Sequence, residues 1–506
     1  MHLLMKNIHK SFFGAPVLSG VDFSINSGEI HSLLGENGAG KTTLMNILYG
    51  LYNKDAGEIT INGKSAEIRN PIDALSLGIG MVHQHFQLVD TLTVSENITL
   101  GLREKGYPFP DREGIDDKIH ALSRQFGLDV APEKKILGLS VGERQRVEIM
   151  KLLYRSAKIL IFDEPTAVLT PPEIISFFEV LKELRKADKG IVIITHKISE
   201  VQMISDRVTV LRDGNCVLQC PIDDTDELAL STAMIGRMLQ NPQHKKRLFD
   251  SSIPRLELSG ATIGTKKLNV LDHFDLTIAP GEIVGIAGVD GNGQQELAEA
   301  VIGLQKLTSG NIYLDGKEIQ KSSIIQRIQS GMGYIPADRH QDALLLSMDL
   351  EQNLLLKKHK DCQYLNHGFI DSGKIATTTK RLIQDFEVKM PSENISIRYL
   401  SGGNQQKFVL ARELDSDLRL LVACQPTRGL DIGATEFIQK QLLELTDRGV
   451  SILLISTDLQ EIISLSDRIS VLFRGQNIGI INNDETLKTD VLGALMGGKR
   501  CEDLDA

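Results

Sequence analysis

The stretch Gly35-Glu36-Asn37-Gly38-Ala39-Gly40-Lys41-Thr42-Thr43 decides the reading of this chain. It fits the pattern G-x-x-x-x-G-K-[ST], follows the apolar run 30–34 and opens into residues 43–49, so a strand feeds a glycine loop that starts a helix. The glycines let backbone N–H groups curl around phosphates, and the helix N-terminus adds a positive partial charge. Lys41 is placed to reach the β- and γ-phosphates and Thr42 to offer its hydroxyl to Mg²⁺. An ordinary glycine turn would not need all of these in register. The loop predicts a nucleoside triphosphate site and is silent about what the energy is used for.

Outward from this loop, the chain repeats itself. Residues 20–34 read as an alternating strand, a turn at Ser27-Gly28 and a second strand that delivers the loop; residues 273–287 follow the same pattern and lead into Gly288-Val289-Asp290-Gly291-Asn292-Gly293-Gln294-Gln295. Gly35 aligns with Gly288 at an offset of 253 (288 − 35), and Leu139-Ser140-Val141-Gly142-Glu143 aligns with Leu400-Ser401-Gly402-Gly403-Asn404 at an offset of 261 (400 − 139). Eight extra residues in the second half reconcile the two offsets. A unit of roughly 240 residues is too long for a solenoid repeat and the right size for a domain. The polar, basic, Pro-containing run 240–247 marks the join, and its charges are read as a solvated linker.

Composition sets the outer limits. The chain has 506 residues, 42% hydrophobic and 24% charged, enough for at least two cores of ordinary globular type. A net charge of −10 argues against nucleic acid as the main partner, because neutralising phosphates calls for a basic face. Five cysteines, at 216, 220, 362, 424 and 501, show no metal-ligand spacing; their odd number, with no secretory leader at the start, fits a reducing cytosol. No run of about 18 apolar residues occurs, so a membrane role would have to come through a partner.

Within the first half, apolar strands alternate with helical stretches. The run 159–162 precedes a helix around 173–184, and 191–195 precedes another at 199–205, which predicts a parallel sheet covered by helices. The stretch 89–137 breaks the rhythm and reads as a mostly helical insertion. In such sheets ligands sit at the carboxyl ends of the strands, where Lys41, Asp163, Glu164 and His196 are all expected to emerge. The strand before Asp163-Glu164 thus ends in two carboxylates, Asp163 placed to hold Mg²⁺ and Glu164 to polarise the attacking water.

The most diagnostic stretches are residues 139–146 and 400–407, each starting 24 residues ahead of position 163 or its counterpart 424. The order of phosphate loop, Gln84, Leu-Ser-Gly-Gly signature, Asp-Glu strand and His196 resembles the nucleotide-binding domain of ATP-binding-cassette (ABC) proteins, in both halves. The resemblance implies an α/β fold of two tandem P-loop ATPase domains, each a mostly parallel sheet core with a helical subdomain. Residues 1–237 are expected to form the first domain, 238–254 the linker and 255–500 the second. It further implies ATP and Mg²⁺ as cofactors, with each nucleotide sandwiched between one domain's phosphate loop and the other's signature. On this reading Phe12 stacks on adenine, residues 35–43 hold the phosphates, and Thr42, Gln84 and Asp163 serve the metal. Glu164, His196 and Gln84 are the catalytic groups.

Compared position by position, the copies are unequal. Phe12, Lys41, Thr42 and Gln84 align with Thr265, Gln294, Gln295 and Ala337; Asp163, Glu164 and His196 align with Cys424, Gln425 and Thr457. The signatures run the other way: the second copy keeps Ser401, Gly402, Gly403 and Asp431, whereas the first has Val141 and Thr170 at the positions of Gly402 and Asp431. The pattern predicts one working ATPase site per chain, with the halves pairing within the chain. First-copy catalytic groups would form one side, Ser401, Gly402, Gly403 and Asp431 the other.

His83 and His85 flank Gln84, but nothing supplies further metal ligands. Gln294-Gln295 carries no cation and is read as a relic of a phosphate loop. For the work done, two classes stand. One is an ATPase subunit on the cytoplasmic face of a membrane, driving import through separate integral permease subunits and, indirectly, an extracellular or lipoprotein substrate receptor. The other is a soluble tandem ABC protein acting on ribosomes or DNA. The acidic chain, its short linker and the lapsed second site favour transport. The unequal tandem resembles ATP-binding subunits of simple-sugar and nucleoside importers. Phrases such as 82–86, 164–170 and 425–431 lean towards the nucleoside branch.

Overall fold

The computed structural model describes residues 1–12, 14–84, 86–102, 111–166, 169, 171–237, 249, 253–264, 269–289, 291–390 and 395–483. His85, Thr170, Thr265, Asp290 and most of the expected linker lie outside the described residues. The chain divides into two compact units, Met1–Leu239 and Gln240–Ala506.

In the first unit, a six-stranded sheet runs in the order Asn215–Pro221, Arg207–Arg212, Ile30–Gly35, Gly190–Thr195, Ile159–Asp163, Ile79–Val82. All neighbours are parallel except the first pair. Ile30–Gly35, Ile159–Asp163 and Gly190–Thr195 are buried at every position, as near-continuous apolar strands in a helix-covered parallel sheet must be. Phe162 anchors one face, its ring edge-to-face with Phe177 at 5.6 Å. That contact packs the sheet against helix Pro171–Lys186. The insertion contains helices Val94–Thr99 and Arg112–Phe126, whose Ile98, Ile115, Ile119 and Phe126 join Val147 of helix Val141–Tyr154 in one core with the sheet.

The second unit reproduces this order: Met332–Ile335, Leu420–Cys424, Ser451–Ile455, Ile283–Ala287, Arg468–Phe473, Gln476–Asn482, again parallel except for the last pair. Each unit also carries a separate four-stranded antiparallel sheet. In the first unit it is ordered Ala15–Asn26, His2–Phe12, Ala56–Ile61, Lys64–Ser65. The alternating strand read at 20–26 belongs to this second layer rather than to the central sheet, which its half-polar pattern permits.

Scaffold contacts are duplicated between the units. Asp206 accepts the N–H of Ile30 at 2.8 Å, as Asp467 accepts that of Ile283 at 2.8 Å. Arg207 pairs with Glu29 at 3.1 Å and Arg468 with Glu282 at 2.5 Å. Gln145 Nε2 donates to the Pro165 carbonyl at 3.0 Å and Gln406 Nε2 to that of Pro426 at 2.9 Å. The contacts that build the sheet and seat the helices Val141–Tyr154 and Gly402–Leu414 thus recur in both copies.

Candidate ATPase site

The glycine loop lies between strand Ile30–Gly35 and helix Lys41–Tyr49, as its sequence requires. Gly40 sits at φ 100° before the first helical residue, a left-handed conformation that disfavours any side chain. At Gly35 the reason is space instead: a Cβ there would lie 2.3 Å from the Leu211 carbonyl of the neighbouring strand. Lys41 is buried, and its ammonium donates to the carbonyls of Gly35 at 2.7 Å and Glu36 at 2.8 Å. Thr42 Oγ1 donates to Asp163 Oδ1 at 3.3 Å, which joins the start of the helix to the end of strand Ile159–Asp163.

Glu164 leaves that strand at φ 47°, its N–H donating to the Ile194 carbonyl at 3.0 Å. A non-glycine residue there is held at a cost of order 1–3 kcal/mol, of the kind that clusters at functional sites. Both carboxylate oxygens are engaged: Gln84 Nε2 donates to Oε2 at 3.0 Å, and His196 Nδ1 lies 3.1 Å from Oε1. Gln84, Asp163, Glu164 and His196, named from three separate stretches of sequence, therefore meet at the carboxyl ends of adjacent strands.

The two carboxyls are driven apart electrostatically. Burial, followed by the neighbouring Glu164 charge, pushes Asp163 up to about 6, against the opposing Thr42 hydrogen bond and Lys41 charge. Glu164 is lowered, above all by its hydrogen bond with His196, against the effect of burial. A buried carboxyl with a raised affinity for protons, next to a threonine hydroxyl, suits a hard divalent cation.

Phe12 ends the strand His2–Phe12 and is partly buried. Tyr52 meets it edge-to-face at 5.2 Å, and Lys10 Nζ lies 5.3 Å from its ring centroid. The sequence reading missed Tyr52; its place after the phosphate-loop helix carries no local motif, so only the fold brings it to Phe12.

In the second unit the corresponding positions are tied off. Gln294 Nε2 donates to the Val289 carbonyl at 2.9 Å, and its Oε1 accepts the Asn292 N–H at 3.1 Å. Gln425, at φ 48°, pairs with Thr457 at 3.1 Å, an uncharged copy of the Glu164–His196 contact. Cys424 is buried and its thiol is pushed up to about 12, so no carboxylate or thiolate stands where Asp163 does. Ser401 begins helix Gly402–Leu414 and accepts from Asn404 Nδ2 at 2.9 Å. Asp431 caps helix Ile432–Asp447 through the Ala434 N–H at 2.8 Å. Gly403 lies against that cap: a Cβ on it would be 3.0 Å from Ala434 Cβ and 3.9 Å from Asp431 Oδ2.

Comparison with known proteins gives the family. The ABC transporter family matches residues 18–167 and again 271–428. The chain is 46% identical over 98% of its length to the guanosine import ATP-binding protein NupO of Bacillus subtilis (strain 168), covering 97% of that protein. It is 44% identical to the nucleoside import ATP-binding protein NupA of Lactococcus lactis subsp. cremoris (strain MG1363), over 94% of each chain. Among solved structures, the complex of archaeal ribosomal stalk protein aP1 with the archaeal ribosome recycling factor aABCE1 matches with a TM-score of 0.62. That match covers 97% of this chain and 92% of that one at 18% identity, and it speaks for the fold alone. With both units matched by the family and a phosphate loop, carboxylates and histidine assembled in the first, the chain belongs to the ABC transporter family as a tandem ATP-binding ATPase.

Proposed function

We propose that the chain hydrolyses ATP to energise an importer of nucleosides, acting through separate integral membrane permease subunits from the cytoplasmic face of the membrane. One observation carries the chemical part: Glu164 is held by both Gln84 and His196, while the second unit has only the uncharged Gln425–Thr457 pair at the equivalent place. A positioned general base is worth roughly 10²–10⁴ in rate, so a copy without one hydrolyses poorly. The names of the two relatives support the nucleoside reading. Among the described residues, no helix is long and apolar enough to cross a membrane, which fits a subunit that depends on a permease.

The proposed working site joins both copies. Phe12 would stack on adenine, residues 35–43 would bind the phosphates, and Ser401, Gly402, Gly403 and Asp431 of the second copy would complete it within the same chain. The signature N–H groups and the Ser401 hydroxyl supply donors to an anion, by the same physics as the phosphate loop. Mg²⁺ would be held by Thr42, Asp163 and Gln84, where it would neutralise phosphate charge. His196 holds Glu164 so that its carboxylate can take a proton from the attacking water. A substrate receptor outside the membrane would act only indirectly, through the permease.

The test is a pair of comparisons on the full chain. Glu164→Gln should abolish turnover and retain bound ATP, and Ser401→Ala should lower turnover far more than Ser140→Ala. Near-normal turnover by Glu164→Gln, or equal losses for the two serines, would refute the single composite site. Co-purification with ribosomes rather than an integral membrane protein would refute the transport role.

A further inference from the structure

One residue outside the sequence motifs reaches both nucleotide-facing parts of the second copy. Arg339 follows strand Met332–Ile335, on a short turn of helix capped by Asp338, whose carboxylate accepts the His340 N–H at 2.8 Å. Its Nε donates to Gln405 Oε1 at 3.4 Å, and its Nη1 to the Arg428 carbonyl at 3.3 Å. Gln405 lies one turn into the signature helix and is itself fixed, its Nε2 donating to the Ile397 carbonyl at 3.1 Å just before the signature. Arg428 belongs to the loop that ends at Asp431.

The guanidinium is seated on the signature itself. A Cβ on Gly402 would lie 2.6 Å from Arg339 Nη2. Gly402 has no left-handed backbone that would call for glycine, and a side chain there would meet the guanidinium, which would have to shift. The first copy has the complementary pair. Position 402 aligns with Val141 (402 − 261) and position 339 with Phe86 (339 − 253), so the copy with a side chain in its signature has no guanidinium to meet it. Both hydrogen bonds are long, at 3.4 and 3.3 Å, and the guanidinium also lies close against Gly402.

We propose that Arg339 is a positioning residue for the composite site, holding the signature end at Ser401–Gly402 and the Asp431 loop in one rigid frame. This rests on the composite-site reading above. A planar fork that bridges two carbonyl oxygens while reaching over a glycine is a role for arginine, not for lysine.

The test measures steady-state ATP turnover of the full chain, equilibrium binding of a fluorescent ATP analogue, and melting temperature. Variants are Arg339→Ala, Arg339→Lys, Gly402→Ala, the Arg339→Ala/Gly402→Ala pair, and Ser401→Ala as reference. Arg339→Ala and Arg339→Lys should each lower kcat about tenfold, the size expected for losing a charge-assisted tether, with analogue binding and melting unchanged. Gly402→Ala should lower kcat alone and cost nothing further once Arg339→Ala is present. If Ser401→Ala loses turnover while Arg339→Ala does not, the role of Arg339 is overturned and the composite site stands. If Ser401→Ala keeps full turnover, both fall. Recovery of kcat by Arg339→Lys, additive losses in the double variant, or a parallel loss of melting temperature and analogue binding would each overturn the positioning role.

Discussion

Gln294 stands in the second copy where Lys41 stands in the first, and it closes on its own loop. Its carboxamide donates to the Val289 carbonyl and accepts the Asn292 N–H, at 2.9 and 3.1 Å, whereas the Lys41 ammonium donates to the carbonyls of Gly35 and Glu36. An ammonium has no acceptor, so it cannot cap a loop N–H; a carboxamide can, and here it does.

Gln294→Lys should therefore release the Asn292 N–H and add a cation at once. In a Lys41→Ala background, which silences the first loop, we expect ATP affinity of the second loop to rise about tenfold or more, as for a charged hydrogen bond gained. Turnover should not rise with it, because Gln425 and Thr457 remain. Equilibrium binding titrations alongside phosphate release check both halves of this expectation.

His196 is the largest influence lowering the Glu164 carboxyl. His196→Ala removes that hydrogen bond, so the Glu164 pKa rises and the acidic limb of the kcat–pH profile moves to higher pH. At neutral pH a fall of roughly 10²-fold is expected, the lower range for a disturbed general base. A pH–rate profile in which kcat falls uniformly with no shift of the acidic limb would assign His196 a role other than holding Glu164.

Asp163 costs stability when it is charged. Its folded pKa is raised to about 6 from 3.8, so the protonated carboxyl favours the folded state. That contribution is fully present below the unfolded value and is lost as pH rises through about 6. The charged form costs at most about 3 kcal/mol at neutral pH without a cation, from about 1.36 kcal/mol per pKa unit. Asp163→Asn should raise the urea midpoint at pH 7.5 in chelator and should gain nothing at pH 4. His31 moves the other way in both proteins: burial lowers it to about 4, so stability falls as pH drops from 6.5 towards that value. Subtracting the two urea series cancels that contribution.

Much of the site could be read along the chain because its chemistry is local. Phosphate loops need consecutive N–H groups and a helix start, and the pair Asp163-Glu164 needs only the end of a strand. Tyr52 and Arg339 could not be read in this way. Each acts through partners distant in sequence, 40 residues away for Tyr52 on Phe12 and 63 for Arg339 on Gly402, and no spacing rule spans such gaps. The antiparallel layer was also missed as a separate sheet, since alternation reports that one face is buried but not which sheet the strand joins.

Sequence alone determined that the chain is a duplicated α/β ATPase unit with Lys41, Asp163, Glu164 and His196 in one copy and an unbroken Ser401-Gly402-Gly403 in the other. Residue identity decides whether a group can carry charge or donate a proton, so each loss, from Lys41 to Gln294 or Glu164 to Gln425, is visible without coordinates. Tertiary structure decided what those groups do to one another: the burial that raises Asp163, the histidine bond that lowers Glu164, and the carboxamide that closes the second loop. These depend on distance and dielectric, which only folding fixes.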